Sequence, residues 1–167
     1  MKVSHEEALR RGWIQPDAMP ALTPRPSSAG GNRPRTRTSK KEAEGTEQAQ
    51  LIEMFRTRFP IDGFLLIHVP NGGFRKNAFE GWRLKQQGVR AGVSDLFLPI
   101  ARGGYIGLWI EFKAAPPNDA PATDLQLEWL ELMREKGHRA ELCLGVEAAF
   151  AVLLEYMALP PTIVMQP

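Results

Sequence analysis

The sequence predicts an α/β domain, a central mixed β-sheet flanked by helices. Two observations carry this. Short apolar runs of strand length alternate with segments whose apolar residues repeat at helical spacing. The segments follow one another in the order α-β-α-β-β-α-β-α, separated by Pro, Gly and Asn turns.

Residues 1–45 are expected to be a basic, largely disordered tail. Glu6 to Trp13 has the length of one or two helical turns. Residues 15–41 are rich in Pro, Ser, Gly, Thr and Arg, with no apolar periodicity to offset the entropy of ordering. The folded domain is expected over 46–158, with a C-terminal tail over 159–167. Thr46 reads as the N-cap of a first helix, with Leu51, Met54 and Phe55 on one face and Pro60 beyond its end. Phe64 to Val69 reads as a strand, followed by the turn residues Pro70-Asn-Gly-Gly. Asn77 to Gln87 reads as a second helix closed by Gly88.

Residues 93–98 form the next expected strand, ended by Pro99. Arg102-Gly-Gly is a hairpin turn, and Tyr105 to Lys113 returns as a longer strand. The loop AAPPNDAPA precedes a third helix, Asp124 to Lys136, capped by Thr123 and closed by Gly137. Its Leu125, Trp129, Leu132 and Met133 share a face. Arg139 to Leu144 is a strand and Val146 to Met157 the last helix.

The chain has 167 residues, enough for one domain with a sizeable core. No apolar run approaches the ~20 residues needed to span a bilayer. The N-terminal MKVSHEEALRRGW has no apolar stretch of the secretory type. Cys143 is the single cysteine, which excludes an intramolecular disulfide and fits a reducing compartment. One cysteine with three scattered histidines also excludes a zinc cluster. Any bound metal must then be held by carboxylates, which favours a hard ion such as Mg²⁺. Residues 1–44 hold nine Lys/Arg against five Asp/Glu, whereas residues 45–167 hold twelve against fourteen. The basic run Arg33, Arg35, Arg37, Lys40 and Lys41 either attracts a polyanion or solubilises a linker. Neither a membrane nor a nucleotide cofactor is expected.

The chemistry concentrates on the hairpin. Asp95 and Glu111 fall near one another across the turn. Glu111 and Lys113 share a strand face, and Phe112 points into the other layer. Two carboxylates and an ammonium thus converge on rigid elements. An isolated E-x-K is usually a solvated face or an ion pair. Here Leu108-Trp-Ile-Glu-Phe-Lys embeds the charges in an apolar strand, where they are costly unless paired or metal-bound. A divalent cation between the carboxylates would polarise a phosphoryl oxygen and activate a water. Lys113 would stand by the attacking water or the charge developing on phosphorus, and the Phe112 carbonyl would add a hard oxygen ligand.

Gly88-Val-Arg-Ala-Gly-Val-Ser-Asp-Leu, Gly107-Leu-Trp-Ile-Glu-Phe-Lys, Gln126-Leu-Glu-Trp-Leu and Gly137-His-Arg-Ala, in this order, resemble the VRR-NUC domain. That domain is a branch of the PD-(D/E)XK nucleases with a restriction-endonuclease-like core. Glu47-Gln-Ala-Gln-Leu and Asn71-Gly-Gly extend the resemblance over about residues 46–158. It implies Asp95 and Glu111 as metal-binding carboxylates, Lys113 as the catalytic lysine, Gln126 as a glutamine reaching the active site and Glu47 as a helix acid that helps hold the metal. It also implies a DNA substrate, Mg²⁺ or Mn²⁺, a homodimer of the phage or bacterial stand-alone type, and action on branched DNA such as a Holliday junction in replication, recombination or repair. Ser94 stands where the family usually has proline.

Taken alone, Gln126 reads better as an exposed helix residue than as a site residue, and Glu47 could be only an acid favoured by the helix dipole. Arg90, Asn71, Arg75 and Lys76 are candidate DNA contacts with a surface role as the other reading. Trp82, Trp109 and Trp129 read as core. The expected location is the cytoplasm of a bacterial or phage-infected cell. The competing function is a non-cleaving DNA-binding subunit of a phage replication or packaging complex.

Overall fold

The computed structural model describes residues 39–70, 83–84 and 86–163. The expectations for residues 1–38, for Asn71, Arg75, Lys76 and Trp82, and for most of the helix over 77–87 lie outside the described residues. Among the described residues the architecture is a four-stranded mixed sheet with helices on both faces.

Helix α1 spans Lys40–Arg58 and starts earlier than the sequence reading placed it. Ser39 is the N-cap. Its side chain accepts from the Glu42 N–H, and the Glu42 carboxylate accepts from the Ser39 N–H, a closed capping box. Thr46, expected to cap, sits inside the helix with its hydroxyl donating to the Glu42 carbonyl at 2.8 Å. The boundary expected at residue 45/46 therefore falls within α1, and Lys40 and Lys41 belong to a helix. Gly45, which has open space around it, is tolerated in the helix interior.

The expected strand over 64–69 is mostly replaced by a single 3₁₀ turn, Gly63–Leu65, leaving only Ile67–His68 as β1. The cause is close packing. A Cβ on Gly63 would lie 2.6 Å from the Arg56 Cα, so the chain turns tightly against the end of α1 before it can extend. β2 is Leu96–Leu98 and β3 is Leu108–Lys113. Their hairpin turn forms as expected: Arg102 and Tyr105 exchange backbone bonds of 3.0 and 2.9 Å around Gly103 and Gly104, both at positive φ. β2 begins at Leu96, and Gly92 ahead of it, at φ +84°, runs so close to the Leu125 backbone that a Cβ there would clash.

Helix α2 (Asp124–Glu135) connects β3 to β4 (Arg139–Leu144), and helix α3 (Gly145–Ala158) follows without a loop. The strand order is β1-β2-β3-β4; the first three are antiparallel in sequence and β3 with β4 is parallel. β3 is thus an interior strand. On one face Leu96, Leu98, Leu108, Ile110, Phe112 and Cys143 pack against Leu51 and Phe55 of α1 and Ala149, Leu153 and Tyr156 of α3. On the other, Trp109 stacks on Phe97 at 4.3 Å and meets Trp129 of α2 edge-on at 5.4 Å. Trp109 and Trp129 are therefore packing residues, as expected. The segment after α3 is bonded to the hairpin: Gly103 donates to the Pro160 carbonyl, Thr162 to the Ala101 carbonyl and Gly104 to the Thr162 hydroxyl.

Candidate active site

Alternation along β3 divides its side chains between two environments. Leu108, Ile110 and Phe112 enter the core, whereas Trp109, Glu111 and Lys113 face α2. The β2–β3 register pairs Leu96 with Ile110 and Phe97 with Trp109. One step further along the same register, Asp95 lies opposite Glu111. Asp95 is held at several atoms: its carbonyl accepts from Val69 N–H at 2.8 Å, and its Oδ2 accepts from Phe112 N–H at 3.2 Å. The His68 Nδ1 is 3.1 Å from the same carbonyl and 2.6 Å from the Gln48 amide.

Glu111 is 0% exposed and Lys113 6%. Lys113 Nζ donates to Glu111 Oε1 at 2.8 Å. The Gln126 Nε2 donates to that same oxygen from the first turn of α2. Oε1 therefore carries two donors, while Oε2 is buried with no hydrogen-bond partner among the described residues. Burial, reinforced by the neighbouring Asp95 charge and opposed by Lys113, pushes the Glu111 carboxyl up to about 7. Burial pulls Lys113 down, but the Glu111 bond and the charges of Glu111, Glu44 and Asp95 outweigh it and raise Lys113 above its ordinary value. The ammonium is thus firmly held as a cation.

Glu47 and Glu44 are both half-buried on α1. Glu47 Oε2 accepts from the Ala115 N–H at 2.9 Å, tying α1 to the end of β3. Glu44 is the residue that the sequence reading missed. Burial raises its carboxyl, and its charge interacts with both Lys113 and Asp95. The available signal was spacing, since Glu44 precedes Glu47 by three residues and shares its helix face.

Arg90 is exposed, its guanidinium 5.6 Å from the centre of the Trp129 ring. Ser94 is wholly buried, and its hydroxyl has no hydrogen-bond partner among the described residues. Among the described residues, no three His, Cys, Asp or Glu side chains converge closely enough to form a ready metal cage. The donor set nevertheless fits a hard divalent cation. Hard oxygens dominate, Glu111 Oε2 is buried and unsatisfied, and Lys113 is one cation among Asp95, Glu111 and Glu44.

The family model of the VRR-NUC domain matches residues 44–147. A solved chain described as a VRR_NUC domain protein is similar over 75% of this chain and 97% of its own length, at 28% identity and a TM-score of 0.62. A search of curated proteins returned no match. With Asp95, Glu111, Lys113 and Gln126 in the arrangement described and the match spanning most of the folded domain, the chain belongs to the VRR-NUC family and carries its nuclease domain.

Proposed function

We propose that this domain is a metal-dependent endonuclease that hydrolyses phosphodiester bonds in DNA, with a preference for branched structures such as Holliday junctions. The observation that supports the metal dependence is the buried Oε2 of Glu111, without a hydrogen-bond partner among the described residues, beside Asp95 and Lys113. An unpaired buried carboxylate oxygen is costly, and a cation relieves that cost. Asp95, Glu111 and the Phe112 carbonyl would hold Mg²⁺ or Mn²⁺, with Glu44 or Glu47 contributing from α1. Bound there, the ion would polarise a phosphoryl oxygen and generate a nucleophile from water near neutral pH.

The protein's own groups do the rest. Lys113 holds a positive charge where charge develops on phosphorus, in a buried setting that strengthens its effect. Gln126 fixes the orientation of Glu111. Arg90, 5.6 Å from the centre of the Trp129 ring, would meet a phosphate, and the basic residues ahead of α1 would add salt-sensitive affinity for the backbone. Junction resolution requires paired incisions, so the active form is proposed to be a homodimer. The proposed setting is the cytoplasm of a bacterial or phage-infected cell.

Plasmid nicking with Mg²⁺ tests the reading. Wild type converts supercoiled DNA to nicked or linear forms, while Lys113→Ala and Asp95→Ala lower the rate by at least about a hundredfold. Wild type that binds DNA but leaves it intact with both Mg²⁺ and Mn²⁺ would return the chain to a non-cleaving binding subunit. A panel of junction, flap, duplex and single-stranded substrates then ranks structural preference. Sedimentation of the protein on junction DNA checks the dimer.

A further inference from the structure

We propose that Thr123, the N-cap of α2, is a positioning residue for Glu111. It acts through the Gln126 amide to determine which oxygen of Glu111 remains free for a cation. The proposal rests on the metal-dependent reading of the same site.

A glutamine amide has one accepting end and one donating end. In α2 the accepting end is committed. Gln126 Oε1 accepts from the Thr123 N–H at 2.8 Å and from the Thr123 hydroxyl at 3.0 Å. In return, the Thr123 hydroxyl lies 3.4 Å from the Gln126 N–H. This is a closed capping box, with Gln126 at its third helical position. The commitment leaves only the Nε2 end to point away from the cap, and it donates to Glu111 Oε1. A turned amide would set its carbonyl oxygen against a carboxylate oxygen, two acceptors facing each other. The helix cap thus selects the donating end for the active site.

Lys113 also donates to Glu111 Oε1, at 2.8 Å. Two donors on one oxygen pin the carboxylate plane and leave Oε2 buried without a hydrogen-bond partner among the described residues. A cap that served helix stability alone would need no contact with Glu111. Here the capping glutamine spans from the cap to an acid fifteen residues earlier in the chain. Thr123 reaches Glu111 through Gln126, so its role is to orient.

The test is calorimetric titration of Mn²⁺ into the metal-free full chain, with thermal unfolding measured in parallel. Gln126→Ala is expected to weaken Mn²⁺ binding by about tenfold or more, the usual range for a group that orients a metal ligand. Thr123→Val is expected to weaken it by about three- to tenfold, less because the residue-123 N–H still reaches Gln126. Thr123→Ser keeps the hydroxyl and should bind as wild type does. The decisive variant is the double change. In a Gln126→Ala background, Thr123→Val should lower stability yet leave Mn²⁺ affinity where Gln126→Ala alone put it. Should Thr123→Val fail to fold, Thr123→Gly replaces it, since glycine retains most capping ability without the hydroxyl.

Wild-type affinity in Thr123→Val, or an additive loss in the double variant, overturns the positioning role and leaves the nuclease reading standing. Absence of Mn²⁺ binding by wild type overturns both. The expected order of affinities without DNA cleavage supports the positioning role and overturns the nuclease reading.

Discussion

Replacing Glu111 by Gln should make the metal-free protein more stable at alkaline pH and abolish its cleavage. The carboxyl has an ordinary value of 4.5 and is pushed up to about 7 in the fold, chiefly by burial. Between these values the folded chain holds a proton that the unfolded chain has released. Stability from this group is therefore complete below about 4.5 and is lost as pH rises through about 7. At about 1.4 kcal/mol per pH unit, the loss is about 3 kcal/mol by pH 8. Glutamine is close in shape to the neutral acid and does not titrate, so that loss disappears.

The assay is urea denaturation of wild type and Glu111→Gln in chelator at pH 5, 6, 7 and 8. The difference between the two curves should widen with pH in favour of the variant, by about 3 kcal/mol at pH 8, or roughly 10 °C in Tm. Added Mn²⁺ at pH 8 should restore much of the wild-type stability and affect the variant little. A difference that stays within about 1 kcal/mol from pH 5 to pH 8 would refute the claim that Glu111 is held at an energetic cost.

Two further outcomes are expected from the buried polar groups around the site. Ser94 is buried and its hydroxyl has no hydrogen-bond partner among the described residues, so Ser94→Ala should raise stability by about 1 kcal/mol in chemical denaturation. Glu44→Gln should raise the half-saturating Mg²⁺ concentration for cleavage by roughly tenfold, whereas Glu47→Gln, whose amide oxygen still accepts from Ala115 N–H, should change it little. The reverse order would assign the helix acid to Glu47.

The hairpin was readable because its information is local. Arg102-Gly-Gly sets the turn, and strand alternation then sends Glu111 and Lys113 to one face and Phe112 to the other. The register that brings Asp95 opposite Glu111 is not set by the turn alone: the Arg102–Tyr105 bridge would put Asp95 against Phe112, and β2 and β3 pair one residue off that alignment, Leu96 with Ile110. The start of α1 was misplaced because the basic composition around Lys40 and Lys41 outweighed a local signal, Ser39-Lys-Lys-Glu42, which is itself a capping box. That error concealed Glu44, which then appeared to lie in the tail. The strand expected over 64–69 failed for a tertiary reason, the contact of Gly63 with Arg56, which no local pattern encodes. Thr123 was legible as a cap, but the sequence does not say that its partner Gln126 also reaches Glu111.

The early start of α1 has a practical consequence for any shortened form of this protein. A chain cut at Thr46 would lose Ser39, its capping partner Glu42 and the acid Glu44 together. It would also lose Lys40, whose ammonium donates to the Asp119 carbonyl at 2.7 Å and fastens the first turn of the helix to the loop after β3. Such a fragment would keep every residue of the hairpin motif and still be a compromised catalyst. One that begins ahead of Ser39 would retain the whole helix, and comparing the two would separate what the folded domain contributes from what the basic arm adds.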